Sequence, residues 1–304
     1  MRGSQSRSPP YDIRSSPVRE IHEPCHSRAK RHTVQRRKEI RGKDRSKVAD
    51  SNFAFGTYFG GRPRSQANLG FRVDYFDQSH NASVSFIAPN QINTGAIAAS
   101  FSGSSTVTES PQTFSNTGTV SATAGGTITI NPTSGQASSN SGSINAATGG
   151  TITFSSGLTQ TAGNTNVAGS LNLGTGGSGV LNLNGGTLTG SGGTITGTVN
   201  VNSGGTINPG NSPGSMTING NYNLAGGTET VELGGYGQGT TYDYLNVTGS
   251  ASLNGILQIS LYSGFLPSDG DIFYFLDYGS QSGNYTQVLR FLLRLTVPVL
   301  GCIV

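Results

Sequence analysis

From about Ser100 onward, apolar and polar residues alternate in short runs, and glycine or asparagine closes each run. The runs "GGTITI" (125–130), "GGTITF" (149–154), "GGTLTG" (185–190), "GGTITG" (192–197), "GGTINP" (204–209) and "GGTETVEL" (226–233) share a Gly-Gly-Thr start. A period of two places Ile, Leu and Val on one side and Thr, Ser and Asn on the other, which is the pattern of a half-buried strand. Gly and Asn accept the positive φ that sharp corners demand. The starts lie 24, 36, 7, 12 and 22 residues apart. Several of these intervals, alone or summed, fall near the ~20–30 residues of one solenoid coil. The pattern predicts an all-β fold, a parallel β-helix (β-solenoid) over residues 100–285. Each coil buries a few aliphatic side chains against the next.

One interruption is unusually dense in breakers. Between the strand-like Thr206-Ile207-Asn208 and Met216-Thr217-Ile218-Asn219 sit Pro209, Gly210, Asn211, Ser212, Pro213 and Gly214. Proline fixes φ, and Gly214 directly after Pro213 suits the third position of a type II turn, where φ is near +80°. These six residues are expected to form a structural corner and no ligand site, with Gly214 the least replaceable. From Tyr242 the side chains grow larger. The expected inward set is Leu245, Val247, Ala251, Leu253, Leu257, Ile259, Leu261, Phe273 and Phe275, a closing cap, with a turn at Ser268-Asp269-Gly270-Asp271. Residues 53–99 hold Phe53, Phe55, Tyr58, Phe59, Phe71, Tyr75, Phe76 and Phe86 and read as an opening strand or cap segment.

Composition supports a thin core. Of 304 residues 46 are Gly, 33% are hydrophobic and 11% charged, below the usual ~45–50% and ~25%. The net charge of +4 conceals a segregation. The first 50 residues carry 14 of the 19 Lys and Arg, whereas Val73 to Leu289 has none and nine acids. Residues 1–52 therefore read as a disordered basic tail. Residues 286–304 form a short apolar tail, interrupted by Arg290, Arg294 and Pro298, and shorter than the ~20 apolar residues of a membrane helix. No apolar run of a signal peptide follows the basic head. Both ends differ in composition from the body and are expected to be unfaithful to the functional protein's ends. Nucleic acid is not an expected partner of the body, which lacks cations.

The stretch from about 185 to 285 resembles the passenger-associated transport repeat of bacterial autotransporter passenger domains. The matching residues are Gly205-Thr206-Ile207, Pro209 to Gly214, Thr217-Ile218, Gly220-Asn221-Tyr222, Gly227-Thr228, Tyr242-Asp243, Leu245, Val247-Thr248-Gly249, Leu253-Asn254-Gly255, Gly264-Phe265 and Gly270-Asp271. The resemblance implies a right-handed parallel β-helix, exported and held at or released from the bacterial cell surface. It also implies a repeat that aids secretion and folding. The chain lacks the membrane β-barrel that follows such passengers, so membrane attachment is expected only through a missing barrel or anchor. The expected role is a non-catalytic, adhesin-like structural module whose surface ligand, protein or glycan, is unknown.

Candidate chemistry is sparse, and no cofactor, metal or catalytic residue is expected. The acids of the coil region are Glu109, Glu229, Glu232, Asp243, Asp269, Asp271 and Asp277. Glu229 and Glu232 are three apart on a strand and point to opposite sides. Asp269 and Asp271 read as turn residues, although a β-helical glycosidase or lyase is the alternative, needing a carboxylate pair or a base. Asp269, Asp271 and Asp277 also read as turn acids rather than calcium ligands. His22, Cys25, His26 and His32 lack a zinc spacing, and three Asn-x-Ser/Thr acceptor patterns are expected by chance. The pairs Thr127/Thr129, Thr151/Thr153, Thr187/Thr189 and Thr194/Thr196 raise a second alternative, an ice-binding solenoid, but their intervals are too irregular to predict a flat array.

Overall fold

The computed structural model describes residues 53–54, 67–68, 82–86, 90–100 and 105–290. The basic tail (1–52), the zinc-like His and Cys residues and most of the apolar tail (291–304) lie outside the described residues. Strands β1 (Phe53–Ala54) and β2 (Ala67–Asn68) come first. Three strands per coil follow: β3 (Ala82–Phe86), β4 (Asn90–Asn93) and β5 (Ala96–Ser100), then β6 (Ser105–Glu109), β7 (Thr113–Asn116) and β8 (Thr119–Thr123). The third coil holds β9 (Thr127–Ile130), β10 (Ser138–Asn140) and β11 (Ser143–Ala146), and the fourth β12 (Thr151–Phe154), β13 (Leu158–Gln160) and β14 (Asn164–Val167). Next are β15 (Ser170–Leu173), β16 (Val180–Leu183) and β17 (Gly186–Thr189), then β18 (Gly193–Thr196), β19 (Thr198–Asn202) and β20 (Gly205–Asn208). The last described strands are β21 (Ser215–Asn219), β22 (Tyr222–Leu233), β23 (Tyr244–Leu261), β24 (Leu276–Gly283) and β25 (Gln287–Arg290).

Through the regular coils each strand pairs in parallel with the strand three places later, for example β6 with β9, β7 with β10 and β8 with β11. The fold is thus a parallel β-solenoid with three columns of stacked strands. Column one runs through β3, β6, β9, β12, β15, β18 and β21; column two through β4, β7, β10, β13, β16 and β19; column three through β5, β8, β11, β14, β17 and β20. The coils begin before the expected boundary, because β3 already pairs along its length with β6. They also run past 285, where β25 extends column three onto β23.

The inward residues of all three columns form one core. In column one Val107, Ile128, Ile152, Leu171, Ile195, Ile218 and Val247 stack in register, every one buried. Burial of an aliphatic side chain is worth ~1.5–3 kcal/mol. Seven of the nine expected inward residues after Tyr242 are buried, while Ile259 and Leu261 pack partly buried against the core.

The loose spacing of the Gly-Gly-Thr starts now has a cause. Thr127, Thr151 and Thr194 lie in strands of column one, whereas Thr187 and Thr206 lie in strands of column three. Measured within column one, the paired positions Thr106, Thr127, Thr151, Ser170, Thr194 and Thr217 lie 19 to 24 residues apart. The two glycines of a start have different tasks. Gly149 bends the corner at φ 75°. Gly150 makes room, because a Cβ there would fall on the Ala122 carbonyl of the preceding coil.

The expectation of short strands fails at the C-terminal end. β22 spans 12 residues and β23 spans 18. Each runs through a coil corner, with the register slipping between Ala225 and Thr228 and between Val247 and Ser250.

Candidate functional site

Polar contacts between the C-terminal coils converge on the breaker-rich corner. Pro209, Gly210 and Gly214 are buried, and Asn211 and Ser212 are exposed. Asp243, fully buried, reaches this corner from the start of β23. Its Oδ1 accepts the Gly214 amide at 2.9 Å, and its Oδ2 accepts the Glu232 amide at 2.9 Å. The backbone completes the tie: Tyr244 donates to the Gly214 carbonyl at 2.9 Å and Asp243 to the Glu232 carbonyl at 3.0 Å. One carboxylate thereby joins β21's entry, β22's end and β23's start. Burial raises its pKa to about 6, and the two backbone amides oppose that rise.

These six residues link β20 to β21, and the expected type II turn is not formed. Gly214 is not among the glycines of positive φ; Ser212, at φ 64°, carries the left-handed conformation, and the Ser212–Pro213 peptide is cis. The Gly214 amide turns inward to meet Asp243, which is the physical reason for its backbone. Gly210 is the tighter position, since a Cβ there would fall on Asp243 Oδ1 and the Gly214 nitrogen.

A second acid, Glu229, lies in the interior of β22, in register with Ile207 and Leu257. The Tyr222 and Tyr285 hydroxyls donate to its Oε2 at 3.1 and 3.0 Å, and its Oε1 has no partner. Burial pushes it up to about 7, with the two phenols pulling back. Glu232 is half-buried on the other side of the strand, as the spacing predicts. Glu109 is buried in column one beside Ile130, and burial raises it to about 7, partly offset by the Gln91 side chain.

The remaining acids sit at the exposed end. Asp271 closes the expected turn, accepting the Ser268 amide at 2.7 Å and the Tyr236 hydroxyl at 2.8 Å. Asp277 accepts the Tyr244 hydroxyl at 2.7 Å, and Asp269 is exposed. Among the described residues no three His, Cys, Asp or Glu side chains gather into a group that would hold a metal. Around this end Tyr236, Phe265, Phe273 and Tyr242 form a ring cluster with centroids 5.1 to 6.1 Å apart. Tyr236 is 62% exposed.

Two arrangements escaped the sequence reading. The first is a buried amide ladder inside column two. Asn93 donates to Asn116 at 2.7 Å, Asn116 to Asn140 at 2.7 Å and Asn140 to Gln160 at 3.1 Å. It stops where Leu183 succeeds Gln160 in the stack. The second is the regularity of the threonines. Thr106/Thr108, Thr127/Thr129 and Thr151/Thr153 are in register on the outer side of column one, followed by Ser170/Asn172, Thr194/Thr196 and Thr217/Asn219. Corners absorb the length variation, so uneven sequence intervals still yield even ranks. Thr187/Thr189 stand apart, on column three.

No family model, no curated protein and no solved structure matches the chain.

Proposed function

We propose that this chain is a non-catalytic structural module of an exported bacterial surface protein, adhesin-like in the broad sense. Its C-terminal coils act as the fastening that lets the solenoid fold after export. The observation that carries this reading is the Asp243 tie. Gly210, Gly214 and Asp243 belong to the stretch that resembles the transport repeat, and their chemistry is spent on joining coils. Asp271 likewise serves its own turn. A rigid rod suits display of a protein or glycan ligand at the surface, with attachment supplied by a barrel or anchor beyond the coils.

The test is display of the full chain behind a secretion signal and a surface anchor. Asp243→Ala is expected to reduce the amount reaching the surface while leaving expression unchanged. Undiminished display would contradict the fastening role. A hydrolytic or lyase activity lost in the Asp269→Ala/Asp271→Ala pair, with the fold intact, would favour the enzyme alternative.

The threonine ranks favour a second reading, an ice-binding face. Neighbouring strands stand ~4.8 Å apart and alternate residues ~6.6 Å apart, and the outer ranks from Thr106 to Asn219 hold neither charge nor aromatic ring. Partition of the full chain into slowly growing ice tests it. Enrichment abolished by Thr127→Lys/Thr151→Lys supports the reading, and exclusion of the parent protein from ice contradicts it.

A further inference from the structure

Glu229 holds a position that an aliphatic residue fills in the neighbouring coils, Ile207 on one side and Leu257 on the other. A carboxylate in such a stack is expensive unless something answers its charge. Among the described side chains, two phenols bond to it. Tyr222 comes from the same strand, buried in column two, and Tyr285 from the connection between β24 and β25. Tyr278 of β24 lies near Tyr285. No Lys or Arg occurs between Val73 and Leu289. Tyr285 is 56 residues from Glu229, so the contact spans the coil formed by β23 and reaches the final one.

We propose that Tyr222, Glu229 and Tyr285 form a proton-operated latch that fastens the last coils of the solenoid. With a proton on Glu229 the site is neutral, and the contact with Tyr285 holds β24 and β25 against β23. Among the described side chains, loss of that proton leaves a carboxylate with two phenol donors, no cation bonded to it and one oxygen, Oε1, without a partner. Hydrating that oxygen requires the end of the solenoid to open, and Tyr285, the partly exposed member, is where water enters. The direction of the shift on Glu229, up to about 7, places the operating range in neutral solution. The Tyr222 and Tyr285 phenols, raised by burial first and by the nearby Glu229, stay protonated there and act only as donors.

Hydrogen exchange of the full chain, corrected for the intrinsic pH dependence of amide exchange, tests the latch. Between about pH 5 and pH 8, protection over 244–261 and 276–290 is expected to fall on the order of a hundredfold. Asp243, also raised by burial, contributes a smaller loss in the same region, and Glu109 contributes around β6. Glu229→Gln keeps both of these and isolates the latch: its loss over 276–290 is expected to be at least ~10-fold smaller than in the parent. Equal pH dependence in parent and variant, or no loss in the parent, overturns the proposal. Should Glu229→Gln not fold, Tyr285→Phe serves instead. Removing a donor that favours the carboxylate moves the transition to higher pH, and an unmoved transition overturns the latch. Failure of the latch leaves the surface-module reading untouched.

Discussion

Asp243 Oδ1 accepts the amide of Gly214 at 2.9 Å, inside the molecule and across 29 residues of chain. The same carboxylate accepts the Glu232 amide. A buried donor left without an acceptor costs about 1–3 kcal/mol, so two amides depend on one side chain. This makes the corner a joint between coils rather than a loop.

Gly210 is expected to be the least replaceable residue of the corner. Gly210→Ala puts a Cβ where Asp243 Oδ1 and the Gly214 nitrogen stand, and it breaks the joint at a cost of about 2–4 kcal/mol. At Gly214 the nearest obstacle is Ser191 Oγ, 2.6 Å from the added Cβ, and that hydroxyl can rotate away. The shift of the urea midpoint in the full chain should therefore be larger for Gly210→Ala than for Gly214→Ala. The reverse order would refute the geometry.

The amide ladder is expected to respond non-additively. Asn116→Leu takes one bond from each neighbour, leaving Asn93 its bond to the Thr119 carbonyl and Asn140 Oδ1 its bond from the Gly142 amide, a loss of about 1–3 kcal/mol. In Asn93→Leu/Asn116→Leu/Asn140→Leu those partners vanish as well, and Gln160 still accepts from Thr165 and donates to the Thr187 carbonyl. The triple variant should be destabilised by clearly less than the sum of its single variants, measured from denaturation midpoints. Simple additivity would argue against a coupled ladder.

These features differed in how far they could be read in advance. The alternation in "GGTITI" and "GGTITF" marks strands because burial on one side alone imposes a period of two. Which strand stacks on which was hidden, since the same Gly-Gly-Thr start serves columns one and three. The ladder did leave a trace: Asn93-Thr94-Gly95, Asn116-Thr117-Gly118 and Asn140-Ser141-Gly142 recur at 23 and 24 residues. Asn is so common at corners that the recurrence reads as turn chemistry until the side chains are seen to point inward. The ties made by Asp243 and Glu229 were beyond sequence reasoning, because one partner of each, Gly214 and Tyr285, is 29 and 56 residues away. The turn at Gly214 was misread for the same reason. Local propensity after Pro213 favours a left-handed glycine, and a distant carboxylate overrides it.

Glu109 is expected to make the N-terminal coils pH-sensitive. Its folded pKa is raised, from an ordinary 4.5 to about 7. The folded form therefore holds a proton that the unfolded chain gives up. Its contribution is complete below about pH 4.5, declines as pH rises toward 7, and is gone above that. Glu109→Gln should remove this decline, which is on the order of 2–3 kcal/mol, as read from denaturation midpoints at about pH 5 and pH 8. A decline unchanged in the variant would assign the effect elsewhere.

The claim that the transport-repeat-like residues are a structural joint is tested most directly by hydrogen exchange of the full chain carrying Asp243→Ala, beside Ser212→Ala as the control on the exposed side of the same corner. The joint predicts that Asp243→Ala lowers protection together across β20, β21, β22 and β23, while Ser212→Ala leaves it as in the parent. Loss of protection confined to 209–214, or equal in the two variants, would contradict it and make the corner an independent loop.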